Sequence, residues 1–114
     1  MSFIQYEIKE YHVNLASYVT GTGVGNVKIV AAIECQAADG NRCLVYFHDE
    51  RARRVPANAY TPSTKTFCTY KPGSQYPWFI DLLRNEKPVK CRIFPDYMES
   101  SGLDTGFEPV GEGE

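Results

Sequence analysis

Between Val27 and Ala37 every odd position is apolar: Val27, Ile29, Ala31, Ile33, Cys35 and Ala37. The even positions include Lys28, Glu34 and Gln36. A period of two sustained over this length predicts one long strand with its odd face in a core. Ala38-Asp39-Gly40-Asn41 comes next, and Asp-Gly supplies the positive φ that a tight reversal needs. Arg42 to His48 then returns as the partner strand. Its inward set is either Cys43, Val45 and Phe47 or Leu44, Tyr46 and His48, because one residue of loop length exchanges the two faces.

Around that hairpin the remaining elements are shorter. Phe3 to Val13 alternates with Ile4, Tyr6 and Ile8 on one side, which predicts a first half-buried strand. Thr20 to Asn26 is a glycine-rich connection. It leads into a strand, not a helix N-terminus, so it lacks the dipole of a phosphate cradle. Asp49 to Arg54 is charged, and Pro56 and Pro62 make residues 55–62 irregular. Lys65 to Tyr70 predicts a short fourth strand. Residues 76–86 predict the one helix, with Pro77 in its first turn and Phe79, Leu82 and Leu83 at i, i+3 and i+4. Trp78 and Phe79 are expected in the core. Pro88 ends the helix, and Val89 to Phe94 predicts a fifth strand with Val89, Cys91 and Ile93 on one face.

Runs of strands with one helix near the end define an α+β, mainly β class. The expected architecture is a small curled antiparallel sheet or barrel, OB-like or SH3-like, of about five strands. A four- or five-stranded sheet with the helix packed across it fits the same pattern. With 114 residues, one globular domain over 1–95 is expected, followed by an acidic tail over 96–114.

The four cysteines, Cys35, Cys43, Cys68 and Cys91, contain no C-x-x-C pair, and each lies in an apolar or β-like run. Buried free thiols are the expectation, with no structural metal and no cofactor. The first residues carry no basic stretch followed by an apolar one, and no apolar run spans a bilayer. The expected setting is cytoplasmic, with no membrane partner.

Charge is divided unevenly. Residues 1–95 hold all 12 Lys and Arg and eight of the 14 Asp and Glu, whereas Asp96 to Glu114 holds six acids and no base. Such a body attracts polyanions, and the attached acidic end competes for the same surface. Arg51, Arg53 and Arg54 cluster in one loop, and Lys90 and Arg92 lie on the exposed face of the last strand. If loop and strand are neighbours they form one patch able to hold phosphates. Eight Tyr, six Phe and one Trp supply rings on which bases could stack. Tyr46, Tyr70 and Tyr76 are the stacking candidates. Tyr97, Leu103 and Phe107 are the apolar anchors through which the tail would dock.

Catalysis has little support. His48-Asp49-Glu50 places carboxylates beside an imidazole, but no nucleophile-base set can be read from spacing. The expectation is a small non-enzymatic binding domain. Single-stranded DNA or RNA is the first partner, tuned by the acidic tail. The alternative is a protein-interaction or structural module that binds another protein or a second copy.

Overall fold

The computed structural model describes residues 3–15, 18–22 and 25–105. Its strands are β1 (Ile4–Glu7), β2 (Glu10–Asn14), β3 (Tyr18–Thr22), β4 (Gly25–Gln36), β5 (Arg42–His48), β6 (Ala59–Thr61), β7 (Thr66–Pro72), β8 (Val89–Ile93) and β9 (Gly102–Thr105). The helix α1 (Tyr76–Asn85) lies between β7 and β8, and short 3-10 turns occupy Gly73–Gln75 and Met98–Ser100. The class is α+β, mainly β. Among the described residues the strands form two sheets and no closed barrel. One is a three-stranded sheet β1-β8-β9, and the larger one is ordered β2-β4-β5-β7-β6 with β3 also on β4. The expected barrel of about five antiparallel strands is thus replaced by two separate sheets. One pair, β5 with β7, is parallel. The chain from His48 to Thr66 crosses over and returns through β6, which runs antiparallel to β7.

The long hairpin forms where the alternation places it. Gly40 has φ +92°, and the Ala37 N–H donates to the Asn41 carbonyl at 2.9 Å across the turn. Val27, Ile29, Ala31, Ile33 and Cys35 are all buried. The five-residue connection sets Cys35 opposite Cys43 and Ile33 opposite Val45. That register turns Cys43, Val45 and Phe47 inward, each with no exposed surface. Between Ile29 and Ala31 the register slips by a residue, a bulge that bends β4.

The first predicted strand is divided between the sheets. β1 pairs with β8 and β2 with β4. The switch falls between neighbours: the Ile8 N–H donates to the Val89 carbonyl and the Lys9 N–H to the Gln36 carbonyl, both at 2.8 Å. The parity of the inward set changes there too. Tyr6 is buried in β1, whereas in β2 it is Val13, opposite Ile33, that packs against the core, and Tyr11 stays exposed.

The core lies between the sheets, where Tyr6, Cys91 and Ile93 meet Ile33, Cys35, Cys43, Val45 and Phe67. The Tyr6 hydroxyl spans it and donates to the Arg42 carbonyl at 2.8 Å. The helix closes one end. Tyr76 and Phe79 meet the Phe47 ring edge-on, with centroids 5.3 and 5.4 Å away, and Ile80 and Leu83 pack beside them. The stretch read as an acidic tail enters the fold at β9, which pairs with β8 from Val89↔Thr105 to Arg92↔Gly102. Its remainder, 106–114 with Phe107, lies outside the described residues.

Among the described residues one buried polar atom lacks a partner: the Thr69 hydroxyl on β7, in a residue 2% exposed. An unpaired buried hydroxyl costs stability that a methyl group does not. Thr69→Val is therefore expected to raise the urea midpoint, by about 1 kcal/mol in stability, with an unchanged slope. A lowered midpoint would contradict the assignment.

Candidate functional site: a groove between the helix and the edge of the small sheet

The cations do not gather into one trough. Arg51, Arg53 and Arg54 line an open groove with Lys28, beside the turn after β5. Arg92 lines a different groove, between α1 and β9, and the two share no lining residue. On the small sheet Arg92 meets a carboxylate of its own, whereas the acids opposite Lys90 are paired with Lys9 and Arg92. Arg92 Nη1 lies 3.2 Å from Asp104, and its Nε donates to Gln5 at 2.9 Å. The register sets Lys90 opposite Glu7 on one side and Asp104 on the other.

The tyrosines are divided as well. Tyr46 and Tyr70 are register partners on β5 and β7, with rings stacked 5.2 Å apart at 23°. By alternation they stand on the face of the large sheet opposite the buried Val45 and Phe47. Tyr76 is on the core side, against Phe47. These three rings therefore form no common platform. Tyr97 is exposed, and Leu103 packs toward the core while also bordering the α1 groove.

Sequence periodicity places Trp78 in the core, but it is 70% exposed. The inward face of α1 is Tyr76, Phe79, Ile80 and Leu83; it keeps Phe79 and Leu83 of the expected set but not Leu82, which turns to the groove. The groove has a volume of about 540 Å³. Trp78, Phe79 and Leu82 wall it from the helix, and Phe94 and Leu103 from the small sheet. Lys71 and the Arg92–Asp104 pair mark its rim. Among the described residues Lys71 has no carboxylate within ion-pair distance. Sequence reasoning missed Lys71, Trp78, Leu82 and Phe94. Only one signal pointed there: the chain's single Trp lies on a helix whose apolar stripe is already complete without it.

The third wall is a backbone. Gly102, Leu103 and Asp104 are consecutive and all border the groove. Side chains of a strand alternate in direction, so three successive residues reach one groove when the strand meets it with its edge. β9 is the last strand of its sheet, with β8 on one side and no strand on the other among the described residues. A Cβ added at Gly102 would meet nothing within 4 Å, so the face of the strand there also opens on free space.

The polar groups near His48 are otherwise engaged. The imidazole Nδ1–H donates to the Asp49 carbonyl at 2.8 Å, not to a carboxylate. The Asp49 carboxylate accepts from the Arg51 backbone N–H at 2.8 Å and from its Nε and Nη2 at 3.1 Å. These bonds hold its carboxyl well below the usual carboxylate range. Glu50 accepts from the Ser74 N–H at 2.6 Å. The four cysteines are free thiols, and Cys35, Cys43 and Cys91 are buried. Burial pushes the Cys35 thiol up to about 12, away from nucleophilic character. Among the described residues no three His, Cys, Asp or Glu side chains form a metal-binding group. No helix among them is long and apolar enough to cross a membrane.

Comparison with protein-family models, with curated proteins and with solved structures finds no match to this chain.

Proposed function

We propose that the protein is a non-enzymatic interaction module that holds an extended peptide segment of a partner protein in the groove between α1 and β9. The observation that carries this reading is the meeting of an open strand edge with an exposed tryptophan across one apolar groove. An edge strand offers unpaired N–H and C=O groups to an added strand, while pockets for alternate side chains supply selectivity. Trp is among the residues that dominate binding energy when a partner covers them. Lys71, without a carboxylate of its own among the described residues, favours an acidic residue beside the apolar anchors of the peptide.

The engaged state of His48, Asp49 and Glu50 supports binding over catalysis. Tyr46, Tyr70 and Tyr76 line neither of the cation-bearing grooves, which favours a peptide over a single-stranded nucleic acid, whose recognition combines basic grooves with stacked bases.

Selection from a displayed library of random peptides on the full chain tests the reading. The expected result is enrichment of extended sequences carrying two apolar residues in alternation, flanked by Asp or Glu. Failure to enrich any sequence would contradict it. So would sedimentation showing a dimer whose formation blocks every selected peptide, which would assign the groove to a second copy.

A further inference from the structure

The groove beside the β5 turn is a second site, of different chemistry. It is lined by Val27, Lys28, Asp49 and the segment from Arg51 to Arg54, with a volume of about 580 Å³. Four cations face one carboxylate there, and that carboxylate is committed. Asp49 accepts three hydrogen bonds from Arg51, and its own carbonyl receives the Ala52 N–H at 3.0 Å. The Asp49 N–H donates to the Lys28 carbonyl at 2.9 Å, tying the turn to β4. Asp49 therefore shapes the turn and neutralises Arg51. Lys28, Arg53 and Arg54 are exposed, and among the described residues none lies within ion-pair distance of a carboxylate.

Four cations around one concavity, with a single carboxylate that is bonded to Arg51 and also feels Lys28, leave a net positive potential that an anion of several charges relieves. The guanidinium groups of Arg53 and Arg54 present forked donors suited to phosphate oxygens. Among the described residues no aromatic side chain lines this groove, so none of them stacks a base there. The whole chain carries a formal charge of −2, and residues 96–114 add only acids, which disfavours a long polyanion over a short one.

We infer that the groove formed by Lys28, Arg53 and Arg54 around the Asp49 turn binds a compact polyphosphate group, such as a di- or triphosphate chain. This site is independent of the peptide groove. The shared chemistry is the phosphate chain, carried by a nucleotide or by inorganic polyphosphate, and the test separates these sources.

Calorimetric titration of the full chain at low ionic strength, with inorganic triphosphate as the probe, is the experiment. Saturable binding of one triphosphate per chain is expected. In a Lys28→Gln, Arg53→Gln, Arg54→Gln variant the affinity should fall by roughly tenfold or more, because two or three charge-assisted contacts are lost. All three side chains are exposed, so an unchanged unfolding midpoint verifies that the variant folds. A single Arg53→Gln variant should give an intermediate loss. A nucleoside triphosphate binding as tightly as inorganic triphosphate supports recognition of the phosphate chain alone, and tighter binding assigns a nucleotide. Absence of saturable triphosphate binding would overturn the inference. Undiminished binding by the triple variant would do so too, as would a single-stranded oligonucleotide binding where triphosphate does not.

Discussion

Replacing Phe47 by alanine is expected to cost about 3–5 kcal/mol of folding stability, far more than any substitution at an exposed position. Phe47 has no exposed surface and lies in the core cluster between the sheets. It is also the ring on which the helix docks, since Tyr76 and Phe79 both meet it edge-on. Each such aromatic pair contributes about 0.5–1.5 kcal/mol beyond buried area. Truncation therefore opens a cavity and removes the seat of α1 together. Against a total of about 5–15 kcal/mol for a typical domain, this loss takes a large share of the fold's stability. Urea denaturation measures it. Phe3→Ala is the control: Phe3 is 51% exposed, and its ring meets that of Phe94 at 5.6 Å outside the core cluster. A loss below about 1 kcal/mol is expected there. If Phe47→Ala cost no more than Phe3→Ala, α1 would not be anchored as described.

Trp78→Ala should have the opposite profile. At 70% exposure the indole contributes little to packing, so stability should change by less than about 0.5 kcal/mol. Binding of a selected peptide should weaken by about 2 kcal/mol or more, roughly 30-fold, as for a central aromatic anchor. Titration of the same peptide into wild-type and variant protein measures the ratio. Equal affinity would remove Trp78 from the interface. A large loss of stability would instead return it to the core, where periodicity alone placed it.

The legibility of the fold in the sequence differs element by element, and the reasons are physical. The inward face of β4 was readable because the interior covers it on one side, and one-sided burial writes itself as alternation. The register of β5 was not readable from its own residues. Both of its faces contain apolar side chains, and the choice rests on the reversal that sets Cys43 opposite Cys35. The sheet switch at Ile8 and Lys9 was hidden because an extended segment keeps its period while changing partners. β9 was hidden for a different reason. It contains glycine and aspartate and takes its place by pairing with β8, where the Arg92–Asp104 ion pair then forms. That pair also explains the lost basic patch: Arg92 looks unneutralised in sequence, yet its carboxylate arrives from a later strand.

The site was less legible than the fold. An i, i+3, i+4 pattern identifies the apolar stripe of α1 but not how far the neighbouring sheet covers it. Trp78 lies just beyond the covered part, and β9 borders the groove with no strand on its far side among the described residues. The arginine cluster after β5 was readable as a cluster. Lys28, which completes it, comes from a strand distant in sequence, on the outward side of β4.

The proposed function requires that a peptide add to the edge of β9. Hydrogen exchange at single-residue resolution, with and without a selected peptide, measures this directly. New protection is expected at those amides of residues 102–104 that are not bonded to β8, since the Thr105 N–H already donates to the Asp104 carboxylate at 2.8 Å, together with a shift of the Trp78 indole signal. Binding that leaves every β9 amide exchanging at its free rate would contradict the claim.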